Sequence, residues 1–176
     1  MRTIESLQMS MDTSKSNYSI RRIASSDNDK VRGILLSVMA DFDCIGEGYS
    51  SSDLEVQSMY EAFTNDQSAF FVISDQENVL YGCGGIGPLS GGIATICELK
   101  KMYFLKELRG KGLGQLMIDT CIEAARDCGY NQCYLETLEV MEAANHLYHK
   151  NGFKKLIKNM GATGHKRCDV YFVKDL

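Results

Sequence analysis

The stretch from Glu107 to Leu116, ELRGKGLGQL, places Gly110, Gly112 and Gly114 directly before a run with helical periodicity. Glycine weakens helices, so three of them at a helix start need a physical reason. One reason is a turn that requires left-handed backbone angles. The other is a loop whose amides must come very close to an anion. A strand, a short loop and a helix start form a ready anion site, because the first helical amides have no partner and the dipole favours negative charge. Arg109 and Lys111 add positive charge on either side of Gly110. The stretch therefore reads as a phosphate-binding helix start.

Two other phosphate motifs fail. A P-loop needs Gly-Lys followed by Ser or Thr, and no Gly-Lys here is. GCGGIG, Gly82 to Gly87, matches the dinucleotide pattern G-x-G-x-x-G, yet it runs into Pro88 and LSGG instead of a helix. It reads as a strand whose small residues permit close approach or a bulge.

Outward from the loop, the coarse order is β-α-α-β-β-β-α-β-α-β-β. Tyr18 to Ile23 alternates like a strand, and SSDNDKVRGILLSVMADF reads as a helix. SSDLEVQSMYEAF reads as a second helix, with Ser52 and Glu55 forming a capping box. SAFFVIS and VLYGCGGIGPL flank DQEN as a hairpin, and Ile93 to Phe104 is the next strand. After the glycine loop, Leu113, Leu116, Met117, Thr120, Cys121, Ala124 and Cys128 share a helical face, with Gly129 as the stop. CYLETL, Phe153 to Ile157 and Val170 to Lys174 are strands, and Met141 to Lys150 is a helix. The fold class is α/β (α+β): a mixed, mostly antiparallel central sheet of about six to seven strands flanked by helices.

The 176 residues suit one domain over 18–176, with 1–17 as a flexible polar tail lacking the apolar centre of a signal peptide. A net charge of −4 argues against nucleic acid, and no apolar run reaches membrane-helix length. Seven cysteines, an odd count with no C-x-x-C pair, fit reduced thiols in a cytoplasmic protein rather than a disulfide framework or zinc site.

RGKGLG fits the R/Q-x-x-G-x-G/A signature of the GNAT N-acetyltransferase superfamily, with Arg109, Gly112 and Gly114 in the defining places. ELKKMYF precedes it on a strand, and AANHLYHKNGF follows on a later helix. From Tyr18 to the end, the chain resembles that family in motif content and element order. The resemblance implies acetyl-CoA as co-substrate, its pyrophosphate on the amides of Gly110, Lys111, Gly112, Leu113, Gly114 and Gln115. The pantetheine arm would lie along Met102, Tyr103 and Phe104, with an amide near Tyr103 polarising the thioester carbonyl. It implies an N-acetyltransferase acting on a primary amine by direct attack, with no metal. A coenzyme A-sensing module without catalysis, or a transferase of another acyl group, would carry the same motif.

Two proton carriers are needed, one for the amine and one for the leaving thiolate. The resemblance makes Tyr148 the acid, just before HKNGF and on a face with Ala144 and Asn145. Glu98 is the candidate base, a carboxylate in an apolar strand lining the cleft; the alternatives are pairing with Lys100 or Lys101, or binding the substrate ammonium. Family members often carry Asn where this chain has Met141; Asn145 lies nearer and is a candidate coenzyme A contact. His146 and His149 read as a solvated helix face. Asp41, Asp43 and Glu47 would suit a cationic acceptor or equally form a solvated turn, and the loop of His165 lies where this family shapes the acceptor pocket. The acceptor, a small molecule or a peptide amine, is not readable from the sequence, and the resemblance also admits a homodimer.

Overall fold

The computed structural model describes residues 17–176, so the expected tail falls, apart from Asn17, outside the described residues. Strand β1 (Tyr18–Arg22) leads through a short turn into α1 (Asn28–Ala40), and an irregular segment carries α2 (Met59–Ala62). Strands β2 (Ala69–Asp75), β3 (Leu80–Pro88) and β4 (Ile96–Phe104) precede α3 (Leu113–Asp127). Then come β5 (Gln132–Thr137), α4 (Glu142–Lys150), β6 (Lys154–Leu156) and β7 (Val170–Asp175). The seven strands form one sheet in the order β1-β2-β3-β4-β5-β7-β6, antiparallel throughout except for β4 beside β5. The expected mixed sheet and element order are both present.

Both faces of the sheet are covered, which is why β2 is buried along nearly its whole length. Its Phe71 and Ile73 pack with α3, whose Leu113, Met117, Cys121 and Ala125 form the apolar stripe. Phe70 and Val72 point the other way, into the core built by Val31, Leu35 and Val38 of α1. The glycines of β3 answer to crowding. A Cβ on Gly85 would stand 2.4 Å from the Ala69 carbonyl oxygen, and one on Gly82 2.5 Å from the Phe104 ring.

Two expectations fail. The second helix is broken into 3-10 turns over Ser50–Ser52 and Leu54–Gln57 before the short α2. Its capping box does not form: Ser52 Oγ donates to the Tyr49 carbonyl, and the Glu55 carboxylate is taken by Lys100 at 2.9 Å. Strand β4 begins at Ile96 rather than Ile93, since Gly92 closes a turn back to Leu89. Among the described residues, no helix is long and apolar enough to cross a membrane.

Candidate active site

Gly112 sits at the entry of α3 with φ of 76°, and Gly110 has φ of 74°. A Cβ at either would meet nothing within 4 Å, so the backbone angle and not crowding demands glycine there. Gly114 differs: its Cβ would stand 3.0 Å from Leu147 of α4, so glycine permits the approach of the two helices. The amides of Gly110 and Gly112 make no hydrogen bond among the described residues, and the first turn from Leu113 to Gln115 has no carbonyl four residues back to donate to. The basic side chains rest on neighbours instead. Lys111 donates to the Tyr18 hydroxyl at 3.0 Å and lies over its ring, while Arg109 stands 4.0 Å from Asp41. Gln115 and Asn151 exchange side-chain amide hydrogen bonds, tying the start of α3 to the end of α4.

The parallel ladder between β4 and β5 stops at Glu98 opposite Tyr134, and beyond it the two strands part. On its other edge β4 bulges: Lys100 pairs with Gly85 and Tyr103 with Cys83, leaving Lys101 and Met102 opposite Gly84 alone. Lys101 takes φ of 54° to do so. Lys100 and Lys101 consequently reach the same acidic segment. Lys100 bonds Glu55, while Lys101 bonds Asp53 and, at 3.0 Å, the Ser50 carbonyl. Met102 packs toward α3 and Tyr103 away from it, its hydroxyl hydrogen-bonded to Ser50 Oγ at 2.8 Å. Phe104 lies against Gly82 and near Gly114.

The cleft between the parted strands gathers Glu98, Met102, Tyr103, Glu136, Tyr148 and His165. The Tyr148 ring packs on Phe153 and Phe172, and its hydroxyl makes no hydrogen bond among the described residues. Burial drives its ionisation well up, so the phenol keeps its proton at neutral pH. Glu98 is 4% exposed and likewise makes no side-chain hydrogen bond there. Burial raises its pKa to about 7, with Lys100 and His165 opposing. Neither lysine bonds it, so the expected alternative of a Lys100 or Lys101 partner is not what the structure shows. Asn145 donates to the carbonyls of Leu138 at 2.9 Å and Met141 at 3.1 Å, while its own Oδ1 is buried and unpaired.

Sequence reasoning missed the ionic layer beneath Glu98. His165 holds Asp53 at 2.8 Å through Nε2 and stands 3.4 Å from Glu136 through Nδ1. Burial alone would lower its pKa, but the hydrogen bonds to Asp53 and Glu136 win and lift it to about 9. Asp53, also against burial, is held below the usual carboxylate range by His165 and Lys101. Of the two readings of the acidic loop, the structure shows the solvated turn: Asp41, Asp43 and Glu47 are exposed, and Asp41 pairs with Lys106. No local signal links residues 112 positions apart, as Asp53 and His165 are. His146 and His149 are both exposed, as expected.

Residues 66–155 match the model of the acetyltransferase (GNAT) domain. The chain is 35% identical over 158 residues to the uncharacterized N-acetyltransferase YjgM of Escherichia coli (strain K12), covering 89% of this chain and 94% of that one. It is 33% identical over 92 residues to N-acetyltransferase 8B of Homo sapiens, 50% of this chain and 39% of that one. Among solved structures, an acetyltransferase of the GNAT family from Staphylococcus aureus MU50 superposes with a TM-score of 0.74 at 16% identity, covering 90% and 98% of the two chains. The yncA protein of Salmonella typhimurium, solved with its cofactor acetyl-CoA, superposes with a TM-score of 0.72 at 18% identity, covering 91% and 94%. These two likenesses show the fold.

Proposed function

The chain belongs to the GNAT acetyltransferase family, and from that premise we propose that it transfers the acetyl group of acetyl-CoA to a primary amine by direct attack. The observation that carries this reading is the open start of α3, whose unpartnered amides lie close to Phe104 at the end of β4, the strand that lines the cleft of Tyr148 and Glu98. The residues fit the co-substrate. The amides from Gly110 to Gln115 would take its pyrophosphate, with Arg109 and Lys111 turning from Asp41 and Tyr18 to add positive charge. Met102, Tyr103 and Phe104 would flank the pantetheine arm, where Asn145 Oδ1 offers a buried acceptor that nothing in the described chain uses. When bound, acetyl-CoA supplies an acetyl thioester, an acyl group activated toward amines.

The chain's own residues divide the proton work. Glu98 accepts a proton from the incoming ammonium, which an unbonded carboxylate whose pKa is raised to about 7 can do near neutral pH. Tyr148 holds the proton that the departing thiolate needs, on a hydroxyl that burial keeps protonated. An amide near Tyr103 stabilises the developing charge on the acyl oxygen, commonly a large term in acyl transfer. Residues 18–176 carry all of these parts as one unit. The cysteines of the chain are all free, which favours a reducing, cytoplasmic setting.

The test is thiol release from acetyl-CoA against a panel of small amines, amino acids and peptides, with longer acyl donors in parallel. Amine-dependent release from acetyl-CoA is expected. Binding without release with any amine would replace the transferase by a coenzyme A-sensing module.

A further inference from the structure

Glu136, His165 and Cys168 present a carboxylate oxygen, an imidazole nitrogen and a thiol sulfur that all lie within 4.8 Å of one another. His165 and Cys168 belong to one turn, closed by the Cys168 amide donating to the His165 carbonyl at 3.0 Å. Glu136 reaches them from the end of β5. His165 Nδ1 stands 3.4 Å from Glu136 Oε2. In a tetrahedral shell with metal–ligand distances of about 2.0–2.3 Å, adjacent ligand atoms are about 3.3–3.8 Å apart. That pair is already at ligand spacing, and the sulfur has at most about 1.0–1.5 Å to close.

The ligand atoms are also held from behind. Asp53 Oδ2 lies 2.8 Å from His165 Nε2, the carboxylate-behind-imidazole arrangement that fixes a metal-binding ring. Tyr134 and Thr163 donate to the two oxygens of Glu136 at 2.7 and 2.9 Å. The Cys168 sulfur makes no hydrogen bond among the described residues, so nothing there competes for it. The mixed oxygen, nitrogen and sulfur set suits zinc or cobalt rather than magnesium or calcium, which take oxygen alone.

We propose that Glu136, His165 and Cys168 form a zinc-class metal site whose fourth position opens toward Glu98. Coordination releases the thiol proton, and any proton on Nδ1, to solvent; no electron changes hands. Glu98 Oε1 is 4.0 Å from His165 Nδ1, within reach of that fourth position. A carboxylate bound to metal cannot accept a proton, so occupancy inhibits acetyl transfer. That consequence rests on the transferase reading; the site itself does not.

The test is optical. The reduced full-length chain, stripped with chelator, is titrated with cobalt(II). One equivalent should bring intense tetrahedral visible bands and a near-ultraviolet thiolate-to-cobalt band, both displaced by zinc and unaffected by magnesium. Cys168→Ser should lose the thiolate band although the other cysteines remain. Asp53→Asn should keep the band with affinity lowered about 10–100-fold, the usual loss of an outer-shell partner. Absence of the thiolate band in the wild type overturns the site whatever the variants do, and so does a band that survives in Cys168→Ser. No acyl donor is present, so a failed transfer assay leaves this result standing.

Discussion

Tyr148 and Glu98 line the same cleft, and neither makes a side-chain hydrogen bond among the described residues. The proposed roles as proton carriers would leave both groups open to a substrate. Tyr148→Phe keeps the ring contacts with Phe153 and Phe172 and removes only the donor, so turnover should fall about 10²-fold or more with acetyl-CoA affinity nearly unchanged. Single-turnover and binding measurements separate the two. Glu98→Gln should lower kcat/KM by about 10²–10⁴-fold. If Glu98 is the proposed base, the wild-type profile, recorded in chelator, should lose activity as pH falls through about 7, where its carboxylate takes up a proton. That acid limb should be absent from the variant; a profile shared by both proteins removes Glu98 as the base.

At the scale of elements, β3 and the β1–α1 corner give stability tests. Gly85→Ala drives a methyl into the Ala69 carbonyl and the Phe70 ring, and should cost at least about 1–3 kcal/mol in urea unfolding. Asp27 joins the corner by accepting from Arg21 at 2.7 Å and from the Ala24 amide at 2.8 Å. These bonds hold its pKa below the usual carboxylate value, with burial opposing. The stabilisation is therefore present above the unfolded value of about 3.9 and lost as pH falls through the lower folded one. Asp27→Asn should cost about 1.5–3 kcal/mol at neutral pH, and the gap to wild type should close in acid. The elements that were legible in the sequence carry their reasons locally, as the positive-φ glycines before α3 and the small residues of β3 do. The capping box of Ser52 and Glu55 was misread because the competitor for Glu55, Lys100, comes from another strand. The Asp53–His165–Glu136 layer was invisible for the same reason: its members meet only after the sheet is assembled.

Across the whole molecule, one crossover does the organising. The chain passes from β4 through α3 to the parallel β5, so the open start of α3 follows directly on the end of β4, where Phe104 lies near Gly114. An acidic protein with a net charge of −4 has no general attraction for a polyanion, so the proposed affinity for one would have to be local to that helix start. Gly112 is where it is most exposed to test, since an aspartate there brings both a disfavoured φ and a negative charge against the amides. The most direct measurement is calorimetric titration of the wild type and Gly112→Asp with acetyl-CoA, with ATP and NADH as controls. The expected result is a single wild-type site of micromolar or tighter affinity for acetyl-CoA alone, lost in the variant. No wild-type binding, preference for a control nucleotide, or equal affinity in Gly112→Asp would contradict the assignment of acetyl-CoA to this helix start.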